Sequence, residues 1–478
     1  MTHTAINKKI WTRCCAALLL IGMNSCGGLS KNKSDEDNFS LKEVKVQLEV
    51  KKYKLPNGLR ILVVENHKLP IFTYQTFFDV GGRHEGAGTT GATHFLEHMM
   101  FKGAKKYGEG VFSKLIESNG GNSNAYTNFD NTVYYESLPV KSGEKEMLPI
   151  IVDLEADRMQ HLTLDPVSFE KERQVIMEER KMRYENSPNG QLWLSITKNM
   201  FEGSPYGGSV IGDKKDLESL SRDQVMNYFK NFYRPDNAII VVVGDVDAYS
   251  VYRLIKEKYR DIKSSNKAIR EYRDSRDNSE LYKGKARYGR HVKISNKQAI
   301  SPMFMLGFPG SAAGTKEGFV QDLLASVIGQ GESSYLNELY VTSKRPIFTS
   351  ISASNYNLKH NGIFLIGGEV ARGKNLKKTT DALINETKSL CETAITERSL
   401  QKTKNRLILS YISNVETNDG VAQFLGMREA YFKDYEFYKK EIEVYNNITL
   451  EELKSSCRGL FKGGKHILVS IWNKHPLK

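Results

Sequence analysis

Between Gly91 and Lys102 the chain reads GATHFLEHMMFK. The apolar positions Phe95, Leu96 and Met99 predict a helix. His94 and His98 are four residues apart, so their imidazoles sit on one face, on adjacent turns. Two imidazoles so arranged can share one tetrahedral metal ion. Glu97, three residues after His94, lies beside the same face and is placed to polarise water at that ion. The order H-x-x-E-H is the inverse of H-E-x-x-H. A lone His pair at this spacing is an ordinary packed or surface pair; the three residues together point to zinc.

Catalytic zinc needs a third protein ligand and an open fourth position. Phe169 to Arg183 reads FEKERQVIMEERKMR. As a helix it places Phe169, Glu172, Ile176, Glu179 and Arg183 on one stripe, with Glu170, Lys171, Gln174, Glu178 and Lys181 on the other side. Burying unpaired carboxylates at Glu172 and Glu179 is costly. A metal ion, or the groups that support one, offsets that cost. The alternative is a surface helix whose Glu residues pair with Lys and Arg. It accounts well for Glu178 and less well for Glu172 and Glu179.

Gly82-Arg83, Glu85, His94-Phe-Leu-Glu97-His98 and Glu172-Arg-Gln-Val-Ile-Met-Glu-Glu179 resemble the signatures of the pitrilysin/insulinase family of zinc metallopeptidases, in the branch that includes mitochondrial processing peptidase. The resemblance covers nearly everything after residue 46. It implies that His94, His98 and Glu179 ligate one zinc ion per chain and that Glu97 is the general base. Glu97 would take the proton of the attacking water and deliver it to the leaving amine. Glu172 is implied as a supporting carboxylate that holds a ligand His. The stretch Asn119 to Tyr134 resembles the family's substrate-binding edge strand, so Asn124, Ala125, Tyr126 and Thr127 are expected to bind an extended peptide through main-chain hydrogen bonds. Without the resemblance, that stretch reads as a Gly/Asn turn leading into a strand. Tyr206-Gly207 and Val210-Ile-Gly212 match a family loop to which no chemistry is assigned.

One departure bears on assembly. Active family members carry an Arg and a Tyr, seven apart, in a C-terminal half. Here Tyr340 stands at the Arg position and Ile347 or Phe348 at the Tyr position. The expectation is a heterodimer with a same-fold subunit that supplies the pair and lacks its own zinc motif. A homodimer is the less favoured arrangement.

The elements that must position these residues come in two sets. Lys51 to Val64 alternates around Asn57-Gly58 as a hairpin, and Ile71 to Val80 is a third strand. The apolar runs 237–245 and 466–472 each follow an amphipathic helix, Asp223 to Phe232 and Leu450 to Phe461. Long helices begin near Asp165 and Thr396. The repeated order predicts an α+β fold of two tandem homologous domains, each an antiparallel-rich sheet with helices packed on one face. Residues 46–262 would form the catalytic domain, 263–290 a charged linker without apolar periodicity, and 291–478 a homologous domain without zinc. Alignment of the halves puts Asp322, Ala325 and Ser326 at the three motif positions, and Thr403 and Ser410 opposite Glu172 and Glu179. Two such chains would enclose a chamber open to peptides and unfolded segments.

A length of 478 residues calls for two or more domains. The net charge of +13 comes from Lys and Arg scattered among acidic residues, with no Arg-rich arm, which argues against nucleic-acid binding. Lys8, Lys9 and Arg13 precede an apolar run, Cys14 to Met23, that is short of the roughly 20 residues a spanning helix needs. Ser25-Cys26-Gly27 resembles a lipoprotein cleavage site. The expectation is a signal peptide over 1–25, lipidation of Cys26, a polar tether over 26–45 and a lipid-anchored place in the bacterial cell envelope. An ordinary secretory signal is the alternative. Cys391 and Cys457 have no metal-ligand spacing, and a bridge between them stays open. The expected function is a zinc-dependent endopeptidase acting on peptides or unfolded segments. The alternative is a catalytically silent, lipid-anchored peptide-binding or structural subunit.

Overall fold

The computed structural model describes residues 46–473. Cys26, the signal segment and the tether all lie outside the described residues. No helix among the described residues is long and apolar enough to cross a membrane.

The first half contributes strands β1 (Val50–Lys54), β2 (Arg60–Glu65), β3 (Ile71–Phe78), β4 (Asn122–Thr127), β5 (Thr132–Pro139), the short ribbon β6 (Lys141–Ser142) and β7 (Lys145–Glu146), and β8 (Ala238–Gly244). The second half contributes β9 (His291–Ser295), β10 (Met303–Gly310), β11 (Phe348–Asn357), β12 (Gly362–Val370) and β13 (Ile467–Trp472). The sheet orders are β1-β2-β8-β3-β5-β4 and β11-β12-β10-β13-β9. Apart from β1, the two orders superimpose: β2-β8-β3-β5-β4 corresponds to β9-β13-β10-β12-β11. In each sheet one pair is parallel, β2 with β8 and β9 with β13, and the rest are antiparallel. The α+β duplication expected from the sequence is therefore the observed fold, and β8 and β13 occupy its equivalent central places.

The composition of β8 explains the layering. Ile239, Val241 and Val243 point to one face and Ile240 and Val242 to the other, and all are fully buried. A strand apolar on both faces needs cover on both. On one face the half's own helices pack, among them the motif helix Ala92–Met99 and the helix Pro166–Arg180. The opposite face receives the helix Asn418–Phe432 from the second half, with Val421, Ala422 and Leu425 against Leu62, Phe77, Ile239 and Val241. The exchange is reciprocal. Helix Pro188–Met200 of the first half lays Leu192, Ile196 and Met200 against Ile363, Ile467 and Val469 of the second sheet. Gly426 allows the close approach, since a Cβ there would lie 2.2 Å from the Phe77 ring.

The charged segment 263–290 carries local structure of its own. It contains the helix Lys267–Arg276 and a 3-10 turn, Ser279–Tyr282. No residue of that helix is buried, so no apolar stripe marks it in the sequence. It is held instead by its Asn266 cap, which accepts the Ile269 N–H at 2.9 Å, and by Arg273 on Asp236 at 2.5 Å. Cys391 and Cys457 are joined by a disulfide that links the helices Leu390–Thr393 and Leu450–Phe461.

Candidate metal centre

The motif helix starts abruptly. Gly91, at φ 89°, precedes it in a left-handed conformation, and a Cβ there would meet the Ile211 carbonyl oxygen at 2.2 Å. The buried Glu85 carboxylate accepts the N–H groups of Gly91 and Thr93 at 2.7 and 2.8 Å, satisfying donors the first turn leaves free. Burial pushes Glu85 up to about 7, against those two bonds. The loop after Tyr206 braces the same end: Asp213 N–H donates to the Thr90 hydroxyl at 2.9 Å, and Arg180 donates to the Gly212 carbonyl at 2.9 Å. That loop thus ties the start of the motif helix to the end of the Glu172/Glu179 helix.

On this scaffold His94, His98 and Glu179 converge, with one ligand atom from each lying within 4.8 Å of the others. Glu179 Oε2 is 3.6 Å from His94 Nε2 and 3.4 Å from His98 Nε2. A tetrahedral zinc with bonds of about 2.0–2.1 Å has ligand–ligand edges of about 3.3–3.4 Å. The donor set and its spacing therefore fit the ion. The far nitrogen of His98, Nδ1, is 3.0 Å from Glu172 Oε2, and Lys102 Nζ is 2.5 Å from Glu172 Oε1. Glu172 thereby fixes the His98 tautomer that leaves Nε2 as a donor atom. Glu178 faces away and pairs with Lys181 at 3.5 Å.

The electrostatics agree with a cation at the convergence. Burial, reinforced by the neighbouring His98, pushes His94 down to about 3, so its ring is neutral with a lone pair to offer. Burial works against protonation of His98, but hydrogen bonds to Glu172 and Glu179 raise it to about 9. Two carboxylates around one imidazole call for positive charge, which a metal ion supplies while the ring stays neutral. Burial opposes ionisation of Glu179 and Glu172 as well. His98, Arg183 and Lys102 outweigh it and hold both below the usual carboxylate range.

Glu97 stands beside the convergence and outside the donor set. Burial raises its carboxyl, opposed by a hydrogen bond that Thr127 Oγ1 donates to Glu97 Oε2. Thr127 ends β4, the strand of Asn124, Ala125 and Tyr126. Among the described residues β4 pairs only with β5 and so forms the sheet edge.

Sequence reasoning gave Arg83 no role, and the structure shows one. Its buried guanidinium lies 3.0 Å from Asp130, 2.9 Å from Asp277 and 3.6 Å from Asp79. Asp130 also accepts the hydroxyls of Tyr206 at 2.8 Å and Tyr431 at 2.9 Å, and the Lys359 N–H at 3.1 Å. This network joins both halves and the connecting segment. Its sequence signal was the Gly82-Arg83 pair and Tyr206, which gave no hint of their shared partner.

The family model described as insulinase (peptidase family M16) matches residues 60–214, and the one described as the peptidase M16 inactive domain matches 219–407. The zinc protease PqqE of Helicobacter pylori is 30% identical over 374 residues, covering 77% of this chain and 80% of that protein. The mitochondrial-processing peptidase subunit beta of Lentinula edodes is 25% identical, over 78% of this chain and 79% of its own. A crystal structure of a protease from Helicobacter pylori superimposes with a TM-score of 0.79 at 25% identity, covering 89% of this chain and 99% of that one. The chain belongs to the insulinase (M16) family of peptidases.

Proposed function

We propose that this protein is the zinc-bearing subunit of an endopeptidase that hydrolyses peptides or unfolded segments. The observation that carries the reading is the convergence of His94, His98 and Glu179 with Glu97 alongside. His94, His98 and Glu179 hold the ion, and Glu172 holds His98. Zinc, when bound, supplies Lewis acidity that polarises the scissile carbonyl and acidifies water. Glu97 accepts the proton of the attacking water and passes it to the departing amine. The free edge of β4 aligns the substrate backbone by strand addition, leaving cleavage only loosely dependent on sequence.

The site is completed by a second subunit of the same fold. Support comes from the region expected to carry an Arg and a Tyr. There Tyr340 packs its ring against Phe348, 5.6 Å between centroids, and Phe348 is a core residue. Phe348 is buried and Tyr340 is half-buried against it, so the position expected to hold Arg offers none. The two subunits enclose the chamber that restricts access to extended chains. The Cys391–Cys457 disulfide supports an oxidising compartment, in keeping with a lipid-anchored protein of the cell envelope.

The test is cleavage of a quenched peptide by the purified protein, alone and with a co-purifying same-fold subunit. Hydrolysis that needs the second subunit and is lost in Glu97→Gln is the expected result. Full activity of the single chain would overturn the divided site. Bound zinc with no hydrolysis under either condition would leave the silent binding subunit.

A further inference from the structure

We infer that Thr127 is a positioning residue for Glu97, and that the half without zinc holds it in place through Tyr126. The inference rests on the reading of Glu97 as the proton acceptor.

The Thr127 hydroxyl has one hydrogen and two acceptors within reach, Glu97 Oε2 and Thr132 Oγ1, the latter at 3.4 Å. The Thr132 hydroxyl spends its own hydrogen on the Val80 carbonyl at 2.9 Å. The charged carboxylate is the stronger acceptor, so the Thr127 hydrogen goes to Glu97. Oε2 is thereby engaged, and Oε1 is left to receive the proton of the attacking water. A carboxylate at the end of three rotatable bonds gains a fixed direction from this contact.

The strand that carries Thr127 is itself fastened from below. The Tyr126 hydroxyl accepts the Gln423 side-chain amide and donates to Met427 Sδ at 3.5 Å. Asn131, in the turn that follows, donates to the same sulfur at 3.6 Å. Gln423 and Met427 belong to Asn418–Phe432, the helix lent by the second half. The second half repeats the device in its own sheet. Asn357 ends β11 as Thr127 ends β4, each followed by a four-residue turn, and its amide reaches Asp322 at 3.4 Å on the helix equivalent to the motif helix. A strand-end side chain bonded to that helix is thus a feature of both halves, and in the first half it falls on the proton acceptor.

The experiment compares Thr127→Val, Thr127→Ser and Glu97→Gln in the zinc-loaded protein with its same-fold subunit. Thr127→Val should lower kcat by about ten- to a hundredfold, the effect of one hydrogen bond to a charged group. KM and zinc content should stay within about twofold, and Thr127→Ser should restore most of the rate. A rise in KM at unchanged kcat would make Thr127 a substrate contact and overturn the inference. Wild-type turnover of Thr127→Val beside an inactive Glu97→Gln would do the same. Wild-type turnover of Glu97→Gln would instead defeat the proton-acceptor reading. Independently of activity, crystals of Thr127→Val should show the Glu97 carboxylate displaced, and those of Thr127→Ser should not; an unmoved carboxylate in Thr127→Val would overturn the inference.

Discussion

The two halves share one sheet order and differ in what they hang on it. In the first, the helix behind the edge strand carries His94, Glu97 and His98, and a second helix adds Glu172 and Glu179. In the second, Asp322, Ala325 and Ser326 take the helix positions; Ala325 is core, and Asp322 is already satisfied by Asn355 at 2.9 Å and Tyr445 at 2.8 Å. The first half gathers charge that calls for a cation. The second spends its single carboxylate on neutral donors. The fold supplies edge strand, helix and strand-end hydrogen bond in both; the chemistry follows from a handful of side chains in one. The second half is still part of the site, since its helix Asn418–Phe432 lies beneath β4 and its turn at Lys359 donates to Asp130.

That shared turn gives the largest expected effect. Arg83→Leu leaves the buried Asp130 without its counter-charge, while Asp79 keeps Lys433 at 2.5 Å, and should cost about 3–5 kcal/mol, read from denaturant midpoints. A loss below about 1 kcal/mol would show that the halves do not depend on this network. Glu172→Gln should weaken zinc binding by about 10- to 100-fold, because His98 loses its orienting carboxylate. A competition titration with a chelator measures it. The corresponding change in the second half, Thr403→Val, should leave zinc affinity untouched.

The smallest effect belongs to Asp322. Burial pushes its carboxyl up to about 6, against hydrogen bonds from Tyr445 and Asn355. The folded state therefore binds this proton more tightly than the unfolded chain, whose carboxyl titrates near about 3.9. The favourable contribution is full below that value and is lost as pH rises through about 6. Wild type should lose more stability between acidic and neutral pH than Asp322→Asn. Parallel pH profiles of the two proteins would refute the assignment.

How much was legible in the sequence follows from which interactions are local. His94, Glu97 and His98 lie within two turns of one helix, and helical spacing alone brings them together. The stripe argument also separated Glu179 from Glu178, and the structure puts the first at the imidazoles and the second on a surface lysine. β8 was readable because a strand buried on both faces must be apolar throughout. What covers it was not: the exchange of Pro188–Met200 and Asn418–Phe432 pairs segments far apart in the chain, and each helix shows only that it has an apolar face. The helix Lys267–Arg276 escaped notice because charged side chains hold it, and no apolar period reports them. Arg83 and Thr127 were quoted from motifs, but their partners come from turns and strands whose approach only the fold defines.

The most direct test of the account is the zinc content of the purified protein. Wild type should bind one zinc ion per chain, and His94→Ala, His98→Ala and Glu179→Ala should each lose it while retaining the fold by circular dichroism; Glu97→Gln should keep it. Zinc retained at full occupancy in the His98→Ala protein, or absent from folded wild type supplied with zinc, would contradict the account.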